Sequence, residues 1–79
     1  MIEINEFITN FADQFVNSDL SLFTPETNFW ELDEWSSIVA LSVVAMIDEE
    51  YNVTLNAKDV KGAKTIEDLF VIVKDKMNQ

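Results

Sequence analysis

The chain has 79 residues, 48% of them hydrophobic, a formal charge of −10, and neither cysteine nor histidine. That describes one small domain, residues 1–79, apolar enough to fold but too small for a walled catalytic cavity. A disulfide framework is excluded; without thiolate or imidazole, neither a zinc site nor a self-contained hydrolase is expected.

Residues 1–57 hold 11 Asp/Glu and no Lys or Arg, a net of −11, whereas residues 58–79 hold 5 Lys and 4 Asp/Glu, a net of +1. A nucleic-acid binder needs a basic footprint, and an anionic membrane surface would repel the first two thirds of this chain. The field instead favours a partner with a basic patch, although acidity also serves solubility. The N-terminal MIEINEFITNF has no basic start and no continuous apolar core, so it does not read as a signal peptide. The apolar run from Ile38 to Ile47 is too short to span a bilayer. A soluble, cytoplasmic domain is the expectation.

One glycine, Gly62, and one proline, Pro25, argue against a hairpin-rich β fold. Residues 3–16 read as a first helix, with Ile4, Phe7, Ile8, Phe11, Ala12 and Phe15 recurring at three- and four-residue steps. Asn17-Ser18-Asp19 ends it with side chains that compete for backbone hydrogen bonds. A long connection, residues 17–36, follows and carries Leu20, Leu22, Phe23, Phe29, Trp30 and Leu32, which should fold back as a lid over the core. Within it Thr24-Pro25-Glu26 fits the start of one helical turn, Thr24 as cap and Pro25 at the first position.

Ser36 or Ser37 opens a second helix that runs to about Tyr51. At 100° per residue, Val39, Ala40, Val43, Val44, Ile47 and Tyr51 occupy an arc of roughly 100–240° and form its core face. On the opposite arc Ile38, Leu41, Ser42 and Ala45 make a second strip flanked by Asp48 and Glu49. That strip is either a docking face for a partner or a surface covered by the long connection. Further on, Leu55 is expected inside, Asn56 caps a short turn through Val60, and Gly62 ends it. Thr65-Ile66-Glu67-Asp68 is close to a capping box, and Ile66, Leu69, Phe70, Val73 and Met77 form the inner stripe of a last helix. The expected class is all-α, a four-helix bundle of three main helices and one short one with a long first loop.

Nothing near Ser36 or Ser37 can activate a hydroxyl, because every lysine lies at or beyond position 58. Asp48, Glu49 and Glu50 match no dedicated calcium loop. Capping accounts for one serine. A second hydroxyl at a helix N-terminus suits an anionic adduct installed by another enzyme, because the macrodipole and free N–H groups favour a phosphodiester there.

At these residues the sequence resembles the acyl carrier proteins. Ser36-Ser37-Ile38 stands where that family has Asp-Ser-Leu, Asp48-Glu49-Glu50-Tyr51 closes the helix at matching spacing, and Val53, Leu55, Val60 and Thr65-Ile66-Glu67-Asp68-Leu69 follow the later pattern. The resemblance covers residues 29–75 and the helix-first layout. It implies a protein that is not itself an enzyme. Its Ser37, with Ser36 as the alternative, would receive 4′-phosphopantetheine from coenzyme A by way of a phosphopantetheinyl transferase and carry acyl groups as thioesters. It further implies a monomer that docks acyl-processing enzymes bearing basic patches through Ile38, Leu41, Ala45, Asp48 and Glu49, in fatty-acid, polyketide or related biosynthesis. By position, Ile47, Leu55, Val60, Ala63 and Leu69 are candidate lining for the acyl chain, with core packing the simpler reading of each. The sequence departs from the family at Ser36, at the missing glycine within Leu32-Asp33-Glu34-Trp35, and at Val39 and Ser42, where acids are common; partner choice is expected to differ accordingly. Trp35 either shields the arm and guides the transferase or packs against the long loop. A carrier of aminoacyl or other specialised units, and an unmodified acidic interaction module, are the rival readings.

Overall fold

A computed structural model of the chain describes residues 2–17 and 19–78. Among these residues it contains four α-helices and no β-strand: α1 (Ile4–Ala12), α2 (Ser37–Tyr51), α3 (Ala57–Lys61) and α4 (Ile66–Met77). The expected all-α bundle of three main helices and a short one is what the chain forms.

Helix α1 buries Phe7, Ile8, Phe11 and Ala12 against α2 and α4. It stops short of the expected residue 16 because the backbone tightens: the amides of Gln14 and Phe15 donate to Phe11 O and Ala12 O, three residues back, at 3.1 and 3.0 Å. The tighter winding turns Phe15 into the core from beyond the helix end. Of the proposed terminator Asn17-Ser18-Asp19, Ser18 lies outside the described residues.

The long connection is a lid only in part. Phe23 and Phe29 plug the core, whereas Leu20, Leu22 and Trp30 stay exposed. It folds into two single 3-10 turns, Leu20–Leu22 and Phe29–Glu31, each opened by an Asx side chain: Asp19 accepts from Ser21 N and Asn28 from Trp30 N, both at 3.0 Å. The Ser21 amide holds the Asp19 carboxyl below its usual range. Thr24-Pro25-Glu26 does not begin a helix. It closes a turn in which Thr27 N donates to Thr24 O and Thr24 N to Thr27 Oγ1.

Two fastenings hold this connection. Phe29 N donates to Lys64 O, Ile66 N to Thr27 O and Glu67 N to Pro25 O, at 3.0–3.1 Å, around an isolated antiparallel bridge between Asn28 and Thr65. At the other end the Glu34 carboxylate accepts from the amides of Val16 (2.8 Å) and Asn17 (3.0 Å), tying the entry of α2 to the exit of α1.

Helix α2 buries Val43, Met46, Ile47 and Tyr51 and packs on both α1 and α4. Met46 falls just outside the arc read from the sequence, so the buried face is turned by about 20° from the expected one. Val39, Ala40 and Val44, expected in the core, are only half-buried. Asn52 ends the helix in the left-handed region (φ 56°), which asparagine tolerates better than most residues. Burial pushes the Tyr51 phenol above its ordinary range, opposed by the 2.9 Å bond from Asn10 Nδ2.

Asn56 caps α3 in a full capping box with Asp59, and Thr65 caps α4 in another with Asp68. The Asp68 carboxylate accepts from both Thr65 N and Lys64 N at 3.1 Å, and these two amides hold it below the usual carboxylate range. Along α4, Ile66, Leu69 and Val73 are fully buried, Phe70 is half-buried, and Met77 at 40% exposed lies outside the expected stripe. Lys76 meets Asp59 at 3.5 Å across α4 and α3. None of the helices is long and apolar enough to cross a membrane, among the described residues.

Candidate functional site

The two serines at the start of α2 have different surroundings. Ser36 has extended backbone and its Oγ accepts from Val39 N at 3.2 Å, so it is the cap. Ser37 is the first helical residue and its side chain is exposed. The division of labour follows from geometry: only a residue with non-helical φ and ψ can turn its hydroxyl back onto the third amide of the helix. The next residue inherits an outward direction.

Both serines edge an open cleft of about 620 Å³ between α2, α3 and the 3-10 turn at Phe29–Glu31. One wall is aliphatic: Ala40, Leu41 and Val44 from α2, then Leu55, Ala57 and Val60 from the approach to α3 and α3 itself. The opposite boundary includes Trp30 and Trp35, with ring centroids 5.5 Å apart and planes at 67°. Lys61 is the one charged side chain of the lining among the described residues.

Each indole is seated on the phenylalanine core. Trp30 stacks on Phe29 (5.7 Å, 28°), and its Nε1 donates to Ala63 O at 2.7 Å. Trp35 lies parallel to Phe11 (6.4 Å, 7°) and meets Phe29 at 4.7 Å. Of the alternatives open for Trp35, packing on the loop is therefore realised, and the same ring also borders the cleft beside Ser36 and Ser37.

The candidate lining residues divide. Leu55 and Val60 border the cleft. Ile47, Ala63 and Leu69 do not border it and are fully buried in the core, Ile47 and Leu69 between α2 and α4. Trp30, Ala40, Val44, Asn56, Ala57 and Lys61 belong to the lining and were missed. Trp30 lies in a 3-10 turn with no helical face to count. Ala40 and Val44 read as core because angular position alone cannot distinguish a packed interior from the side of an open cleft.

The outer strip of α2 is bare. Ile38 is 77% and Leu41 70% exposed, and Ala45, Asp48 and Glu49 are exposed beside them, so the long connection does not cover this face. Leu41 is shared, since it also borders the cleft. Ser37, the apolar cleft and the apolar start of the strip at Ile38 and Leu41 thus meet at the N-terminal end of α2, while Asp48 and Glu49 lie near its C-terminal end.

No family model matches the chain, and neither a curated protein nor a solved structure matches it.

Proposed function

We propose that this chain is an acyl carrier protein that accepts 4′-phosphopantetheine on Ser37 and presents thioester-bound acyl groups to partner enzymes in the cytoplasm. The observation that carries the reading is the pairing of an exposed Ser37 hydroxyl, left free by the Ser36 cap, with an apolar cleft at its side. The residues present fit the group. When bound, phosphopantetheine supplies a flexible arm whose terminal thiol holds an acyl group as a thioester. The chain's own part is attachment, electrostatics and shelter. The first amides of the 15-residue α2 and its dipole favour a phosphodiester at Ser37. Leu41, Val44, Leu55 and Val60 offer apolar surface to the cargo. Ile38 and Leu41 give a partner an apolar footing, while Asp48 and Glu49 steer a basic patch towards it. Tethering raises the local concentration of cargo at each partner.

The reading is tested by incubating the purified protein with coenzyme A and a broad-specificity phosphopantetheinyl transferase and recording intact mass. Gain of one phosphopantetheine, kept in Ser36→Ala and lost in Ser37→Ala, is the expected result. Loss in Ser36→Ala alone moves the attachment point by one residue. No gain under any condition leaves the bare strip on α2 as the functional surface of an unmodified interaction module.

A further inference from the structure

The cleft beside Ser37 has one aliphatic wall and one aromatic boundary, and the two are built differently. Apart from Leu55 on the approach to α3, the aliphatic wall comes from helix faces of the kind a packed bundle presents. The aromatic boundary is assembled for the position. Trp30 remains 43% exposed although it stacks on Phe29 and donates its indole N–H to the fully buried Ala63. With its polar atom satisfied inside and one face committed to Phe29, what Trp30 offers outward is ring hydrocarbon. Trp35 is seated likewise on Phe11, and the two indoles meet each other edge-to-face at 5.5 Å, so they form one aromatic boundary along the cleft. Ala40 and Ala57 keep the facing wall shallow. Aromatic rings favour offset-stacked and edge-to-face contact beyond simple burial, and a rigid planar guest loses less conformational freedom than a saturated chain of equal carbon count.

We infer that the cleft selects an aromatic acyl group over a saturated aliphatic one, with Trp30 and Trp35 as the specificity-determining residues. The inference rests on the carrier reading for its cargo, and it concerns the class of that cargo rather than the attachment.

Two arms test it. In the first, Ser37 is loaded by the transferase from cinnamoyl- or nonanoyl-coenzyme A, both nine-carbon acyl groups, and the Trp30 indole N–H resonance and tryptophan emission are followed. In the second, the free cinnamoyl and nonanoyl thioesters of N-acetylcysteamine are titrated into the unmodified protein. Cinnamoyl is expected to bind about two- to tenfold tighter, the range that one aromatic contact supplies. It should also impose ring-current shifts on the Val44 and Leu55 methyls that nonanoyl does not. Trp30→Phe should keep the preference and Trp30→Leu should lose it. Equal or weaker binding of cinnamoyl, or a preference that survives Trp30→Leu, overturns the inference. If Trp30→Leu fails to fold, the methyl shifts in the unaltered protein decide the matter. Should Ser37 accept no arm, the carrier reading fails, and the second arm alone decides whether the cleft selects aromatic ligands.

Discussion

Replacing Ser36 and Ser37 one at a time by alanine separates the two jobs assigned to them. Ser36→Ala removes the side-chain acceptor of the Val39 amide, a 3.2 Å bond at an exposed position, which places its loss at the lower end for caps, about 0.5–1 kcal/mol. For 79 residues the unfolding entropy is about 0.17 kcal/mol/K, so the melting temperature should fall by about 3–6 °C. Ser37→Ala removes no cap and puts a better helix former at the first helical position. Its melting temperature should stay level or rise by up to about 3 °C. Ser36→Asp, which keeps an N-cap oxygen, should recover most of the loss. Far-UV circular dichroism against temperature, at one salt and protein concentration, reads all three. Equal destabilisation by the two alanine variants would refute the division of labour, and with it the reason for regarding Ser37 as the free hydroxyl.

Ile47→Ala should cost about 2–5 kcal/mol, a large share of the total of about 4–12 kcal/mol expected for 79 residues, because Ile47 is fully buried in the core; urea denaturation measures this. Asp68→Asn should matter at neutral pH and not in acid. The Asp68 pKa is lowered on folding by two backbone amides, so the stability it contributes is present above the unfolded value of about 3.9 and is lost as pH falls through the folded one. The stability gap between the two proteins should therefore close below about pH 4, and a gap unchanged at low pH would contradict the assignment. Added salt should raise the melting temperature by screening the net −11 of residues 1–57. Asp48→Lys with Glu49→Lys should slow association with a basic partner most at low ionic strength, as stopped-flow kinetics at several salt concentrations would record.

The helical parts of the fold were legible because their signals are local. Asn56 and Thr65 sit three residues ahead of Asp59 and Asp68, and both capping boxes form as side-chain chemistry requires. The pair Ser36-Ser37 ahead of an apolar run placed the start of α2 at one of two adjacent residues, and Ser36 is the cap. What escaped depends on contacts between distant positions. Phe15 continues the helical rhythm of α1, and nothing local reveals that the chain tightens before it. The Glu34 clamp joins residues 17 and 18 positions apart in sequence, and among so many acids this one carries no mark. The cleft was half legible: Leu55 and Val60 follow from their place before and within α3, whereas Trp30 reaches it through a bond to Ala63, 33 residues away.

That bond belongs to a larger arrangement at residues 63–67. This short stretch receives the Trp30 indole at Ala63 and the Phe29 amide at Lys64, and it presents the Lys64 and Thr65 amides to Asp68 as the first turn of α4 forms. The Trp30 part of the aromatic boundary is thus fastened to the start of α4 as well as to Phe29. Fraying of that turn and loosening of the Trp30 wall are then a single local opening event. Slow exchange of the Phe29, Ile66 and Glu67 amides would serve as a gauge of how often the cleft loses its shape.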